Sequence, residues 1–123
     1  MAALYSEKLL DHFRNPRNYG ALTAPDISHE SFNPLCGDRI RLELKLENRN
    51  VKEARFRGDG CAISIAAASL LTELLTGRDI REAVSDDELV AALESDIKPA
   101  RIQCALLPLE TLRAGLKNYQ EGP

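Results

Sequence analysis

Across residues 39–47 apolar and charged positions alternate almost without a break. Ile40, Leu42, Leu44 and Leu46 fall on one side, and Arg39, Arg41, Glu43, Lys45 and Glu47 on the other. A period of two predicts a strand with one face in the core and one in water, the antiparallel habit. Asn48-Arg49-Asn50 supplies a hairpin turn, since asparagine tolerates positive φ. Residues 51–57 then return as a partner strand with weaker alternation.

On both sides of this pair the period changes. Residues 4–14 predict a short helix with Tyr5, Leu9, Leu10 and Phe13 as its apolar stripe, stopped by Pro16 and Gly20. Residues 21–31 are polar, include Pro25 and predict an irregular loop. Residues 61–76 predict a helix ended by Gly77 in the left-handed cap position. Ala62, Ile63, Ile65, Ala66, Ala67 and Ala68 make its first half apolar nearly all round, as in a buried helix. Ser85-Asp86-Asp87-Glu88 is a capping box opening a helix to about Glu94. A last helix is expected from about Ala105 to Tyr119, with Leu106, Leu109, Leu112 and Leu116 inward. Pro108 then falls in its first turn, where proline is tolerated, and Cys104 at or just before its start. Helix, strands, then helices give an α+β fold with helices packed on an antiparallel sheet. A chain of 123 residues with no repeat or linker suits one domain over 1–123.

Composition narrows the function classes. With 16 Lys and Arg against 19 Asp and Glu the net charge is −3, and the basic residues are scattered. That balance gives no footprint for nucleic acid or an anionic membrane. No apolar run approaches the roughly 20 residues that span a bilayer. The start, Met1-Ala2-Ala3-Leu4-Tyr5-Ser6-Glu7, has neither a basic region nor an apolar signal core, so a cytoplasmic location is expected. Three cysteines without a secretory signal do not form a disulfide framework.

The cysteines stand at joints between elements. Cys36 precedes a strand in Asn33-Pro34-Leu35-Cys36-Gly37-Asp38, Cys61 follows Gly58-Asp59-Gly60 at a helix start, and Cys104 sits at another. None is expected in the middle of an apolar stripe, where a structural cysteine belongs. Helix N-termini favour the thiolate, which is the form that binds metal or attacks sulfur. Asp38 adds an oxygen donor; beside Gly37 it reads as a loop residue whose truncation costs little packing. Three thiolates and a carboxylate suit tetrahedral zinc or an iron–sulfur cluster. Spacing alone leaves three unconnected thiols equally open, because the gaps are long and no C-x-x-C occurs.

The residues carry a resemblance further. Ser6-Glu7 with Asp11-His12 and Asn15-Pro16-Arg17-Asn18-Tyr19-Gly20, then Asn33-Pro34-Leu35-Cys36-Gly37-Asp38, then Phe56-Arg57-Gly58-Asp59-Gly60-Cys61-Ala62-Ile63-Ser64 resemble the U-type iron–sulfur scaffold family of NifU N-terminal domains, IscU and SufU. The resemblance implies a three-stranded antiparallel sheet with helices packed on it. It implies that Cys36, Asp38, Cys61 and Cys104 converge at one exposed end. It further implies sulfur received as a persulfide from a cysteine desulfurase, a transient [2Fe–2S] cluster passed to apo-proteins, and zinc at the same site. Cys104, as in the IscU branch, or Cys36, as in the SufU branch, would accept the persulfide. Gln103 stands where IscU has histidine, and Ile97-Lys98-Pro99-Ala100-Arg101 lacks the proline pair of the IscU chaperone segment. Both features resemble SufU, but the gap between Cys61 and Cys104 leaves no room for the insertion usual there, so the chain resembles a compact SufU-like member.

The same residues admit other readings. A zinc-bound sulfurtransfer partner of the desulfurase uses the same four ligands without building a cluster. A metal hydrolase is disfavoured because four protein ligands leave no position for water, and a structural zinc module favours tighter knuckles. His12 reads as a packing or capping residue, His29 as a solvated loop residue, Asp59 as a turn residue and Tyr5 as packing. Arg101, three residues before Cys104, reads as a surface charge or an aid to a thiolate.

Overall fold

The computed structural model describes residues 5–34, 37–82 and 84–119. Leu4 and Cys36 therefore lie outside the described residues. The described chain runs α1 (Glu7–Arg14), β1 (Ile27–Asn33), β2 (Asp38–Glu47), β3 (Asn50–Asp59), α2 (Ala62–Leu75), α3 (Asp86–Ala92), a 3-10 turn (Pro99–Arg101) and α4 (Ile102–Asn118). The strands form one antiparallel sheet in the order β1-β2-β3. This is the α+β architecture that the alternation and the resemblance imply.

The β2–β3 hairpin forms as the pattern requires. Asn48 and Arg49 both take positive φ, 53° and 70°, the two-residue turn whose twist matches its strands. Ile40, Leu42 and Leu44 face the core with Phe56 and Ala54 opposite. The outer face is less wet than alternation suggests. Residues 21–24 pass over it, and Glu43 is buried there, accepting from the Leu22 N–H at 2.8 Å. Burial alone pushes its carboxyl up; the Leu22 N–H and Arg41 bonds outweigh that and hold it below the ordinary carboxylate range.

Helix α2 fills the middle of the molecule. Ala66, Ala67 and Ala68 have no exposed surface, and Ile63, Leu71 and Leu75 add bulk around them. Small residues let the helix approach its neighbours closely: it packs against β3 and lies between α1 and α4, while α4 covers β1 and β2. Gly77, at φ 87°, closes it in the left-handed region where a side chain is strained.

Three sequence expectations are corrected. Residues 27–33 are strand β1, not loop. Its inward positions are Ile27, His29 and Ser31, a mostly polar set that hides the alternation of an edge strand. His29 is thus half-buried in a strand rather than solvated in a loop. In α1 the buried residues are Leu9 and His12, while Phe13 is 40% exposed. His12 takes an inward position because Ser69 of α2 meets its Nδ1 at 2.7 Å. Helix α4 starts at Ile102, three residues early, so Pro108 lies in its second turn and Cys104 inside its first.

Candidate metal centre

Asp38 opens β2 and is only 2% exposed. The antiparallel register sets β2 beside the end of β3, which leads through Gly60 into the start of α2. The close approach needs Gly60: a Cβ there would stand 3.0 Å from Asp38 Oδ1. Asp38 is therefore no loop residue of little packing consequence. Its Oδ1 accepts from the Cys61 N–H at 3.1 Å and its Oδ2 from the Ser64 hydroxyl at 2.5 Å.

Cys61 is the N-cap of α2, in extended backbone at φ −70° and ψ 168°, and makes no side-chain cap of its own. The Asp38 carboxylate supplies the cap instead, and the helix dipole favours anionic groups at that place. The Cys61 thiol lies 3.7 Å from Asp38 Oδ2 and 3.6 Å from Ser64 Oγ.

Cys104 sits in the first turn of α4 and is 4% exposed, packed within the hydrophobic core. Its burial corrects the expectation that no cysteine lies on an apolar face. The same side chain is nonetheless turned to the other candidates. Donor atoms of Asp38, Cys61 and Cys104 all lie within 4.8 Å of one another. The structure thus brings together three of the four sequence-derived residues; Cys36 falls outside the described part. His12, His29 and Asp59 are elsewhere, and among the described residues none joins the cluster.

The donor set fits a single divalent ion. With bonds of about 2.0–2.3 Å, two ligands of a tetrahedral zinc stand about 3.3–3.8 Å apart. The donor atoms of Asp38, Cys61 and Cys104 lie within 4.8 Å of one another, about 1 Å wider than that spacing at most. The two thiols and the carboxylate among the described residues match zinc's preference for sulfur-rich sites.

A cleft of ≈ 200 Å³ adjoins the centre, lined by Tyr5, Ile63, Asp96, Lys98 and Arg101. Arg101 holds its charge above the ordinary range because it is hydrogen-bonded to Tyr5 and feels Cys61 and Cys104. Ser6, which donates to the Leu93 carbonyl at 2.8 Å, anchors the start of α1 so that Tyr5 reaches this wall. Sequence reading placed Tyr5 among packing residues and passed over Ser64. The available signal for Ser64 was its spacing: it stands three residues after the N-cap Cys61, as in a capping box.

Comparison with known proteins places the chain among relatives. The model of the NifU-like N-terminal domain matches residues 4–123. The zinc-dependent sulfurtransferase SufU of Bacillus subtilis (strain 168) is 39% identical, over 97% of this chain and 93% of SufU. That alignment runs over 138 residues, more than the 123 of this chain, so SufU carries residues that this chain lacks. The iron–sulfur cluster assembly scaffold protein IscU of Azotobacter vinelandii is 36% identical over 94% of each chain. A Fervidobacterium islandicum AW-1 protein described as an iron–sulfur cluster assembly scaffold for the SUF system shares the fold with a TM-score of 0.80. It is 24% identical, over 92% of this chain and 96% of its own.

Proposed function

The chain belongs to the NifU-like N-terminal domain family, and on that premise we propose that it is a scaffold for iron–sulfur cluster assembly. It takes sulfur from a cysteine desulfurase, gathers a [2Fe–2S] cluster as cargo at Cys36, Asp38, Cys61 and Cys104, and passes it to apo-proteins. The observation that carries this reading is the meeting of Asp38, Cys61 and Cys104 within 4.8 Å, each from a different element. A carboxylate in a thiolate set suits a site that must let its cargo go, since it is a harder ligand than sulfur and poorly matched to iron–sulfur centres.

The sulfur step belongs to a cysteine thiolate. Cys36, or Cys104 once the start of α4 opens to expose its thiol, which is 4% exposed in the closed chain, attacks the terminal sulfur of the desulfurase persulfide; that S–S bond breaks, the desulfurase cysteine leaves as thiolate, and a persulfide forms on this chain. Arg101 stands where it faces the anionic sulfurs.

A second reading shares the residues and differs in cargo: zinc held by the four ligands positions a thiolate for sulfur transfer, and no cluster is built. Gln103, where IscU has histidine, and the tight single-ion spread of the donors favour it, as does similarity to the Bacillus sulfurtransferase.

One experiment separates the two. The chain is incubated anaerobically with a desulfurase, cysteine and ferrous iron, with and without an added one-electron reductant that brings persulfide sulfur to sulfide, then analysed by visible absorbance and mass spectrometry. A protein-bound [2Fe–2S] chromophore that moves to an apo-ferredoxin supports the scaffold. Persulfide on Cys36 or Cys104 without a chromophore supports zinc-dependent transfer. Neither product would overturn both.

A further inference from the structure

Ser64 lies in α2 with no exposed surface and is neither thiol nor carboxylate, yet it touches all three converging residues. Its Oγ stands 2.5 Å from Asp38 Oδ2, 3.1 Å from the Cys104 carbonyl oxygen and 3.6 Å from Cys61 Sγ. The Cys104 carbonyl has a particular need of a donor. In an α-helix it would accept from the N–H of residue 108. Residue 108 is proline, buried inside α4, and proline has no N–H to give. Ser64 brings a hydroxyl donor from α2 to that carbonyl at 3.1 Å.

A hydroxyl carries one hydrogen, and here it faces two acceptors. With the hydrogen on Asp38, the carboxylate is held at both oxygens: Cys61 N–H on Oδ1 and Ser64 on Oδ2. Its plane is then fixed relative to the Cys61 thiol. When Asp38 turns to another partner, the hydrogen swings to the Cys104 carbonyl, and no buried hydroxyl is left without an acceptor, an outcome that would otherwise cost about 1–3 kcal/mol.

We infer that Ser64 is the positioning residue of the centre: it aims the Asp38 carboxylate at the metal or cluster and, by way of the carbonyl that Pro108 leaves to it, lets that carboxylate exchange partners at low cost. The inference rests on the reading of Asp38, Cys61 and Cys104 as a metal-holding set. It adds a residue that cannot itself ligate zinc through sulfur or carboxylate.

The test is a double-mutant cycle on the full chain, with cobalt(II) as the probe ion and competition against a chelator as the readout. Outer partners of metal ligands typically govern affinity by about 10–100-fold. Ser64→Ala is expected to weaken cobalt(II) binding about tenfold and to shift the cobalt ligand-field bands. Ser64→Thr, which keeps the hydroxyl, is expected to restore both. In an Asp38→Ala background the same Ser64→Ala change is expected to make less than about a twofold difference, because the residue through which it acts is gone. If Ser64→Ala does not show the circular dichroism of the wild type, Ser64→Val takes its place in the cycle and is read against Ser64→Thr, which has the same shape and keeps the hydroxyl. Wild-type affinity in the serine variant overturns the inference. So does an equal loss in both backgrounds, which marks Ser64 as merely structural. A wild-type chain that takes up no cobalt(II) overturns the metal-centre reading itself, and this inference with it.

Discussion

The Cys61 N–H donates to Asp38 Oδ1 at 3.1 Å, so a carboxylate on the first residue of a strand caps the helix that begins beside a candidate ligand. Asp38 therefore has two roles, one in folding and one in chemistry. Asp38→Ala removes the cap, which is typically worth about 0.5–2 kcal/mol, and the metal-free chain should lose stability of about that size in urea unfolding. Delivery of a pre-loaded cluster to an apo-ferredoxin should slow as well. An unchanged urea midpoint would deny the cap, and an unchanged delivery rate would deny Asp38 as the exchanging ligand.

Gly60→Ala probes the same corner from the backbone. The new Cβ would press on Asp38 Oδ1 at 3.0 Å and on the Ser64 Cβ at 3.3 Å. Overpacking of this kind costs about 1–3 kcal/mol. The variant is expected to fold and to bind zinc more weakly, because the carboxylate must shift. Zinc content after competition with a chelator measures it; unchanged affinity would mean that Asp38 is free to adjust.

The cysteines should differ in reactivity. Cys61 is half-buried at a helix start, whereas Cys104 is nearly enclosed. In the metal-free chain iodoacetamide should modify Cys61 before Cys104, read by peptide mass spectrometry at short times, since thiol reactivity requires access. Faster modification of Cys104 would show that the start of α4 opens in solution.

His12 gives a pH dependence away from the centre. Burial holds it below its ordinary 6.5, with Arg17 and Lys8 acting the same way and Glu73 and Asp11 opposing. The folded chain therefore keeps His12 neutral where the unfolded chain takes up a proton. Stability contributed by the neutral ring is complete above 6.5 and falls as pH drops from there towards the lower folded value. His12→Gln should flatten the fall in urea midpoint between about pH 7.5 and about pH 5.5. An identical slope in the variant would assign the fall to other groups.

Much of the architecture was legible because its signals are local. The hairpin rests on period-two alternation and a positive-φ turn, and the buried helix on an alanine-rich stretch bounded by Gly60 and Gly77. Strand β1 was hidden because an edge strand can turn the polar, half-buried His29 and Ser31 towards a helix and still pair. The start of α4 was misplaced because Pro108 reads as a first-turn residue. Its cost is met by Ser64, 44 positions earlier in the chain, and no local pattern records such a partner. The candidate ligands were recognisable by residue type and resemblance. What brings Asp38, Cys61 and Cys104 together is the register of β2 on β3 and the packing of α4 on α2, which are tertiary facts.

As proposed, residues from separate elements form one sulfur-rich centre with a single carboxylate. X-ray absorption at the zinc edge of the zinc-loaded protein tests this most directly. The expected result is one zinc per chain with three sulfur neighbours at about 2.3 Å and one oxygen at about 2.0–2.2 Å, the sulfur count falling by one in each of Cys36→Ser, Cys61→Ser and Cys104→Ser. A zinc surrounded by nitrogen and oxygen alone, or a sulfur count unmoved by those substitutions, would contradict it.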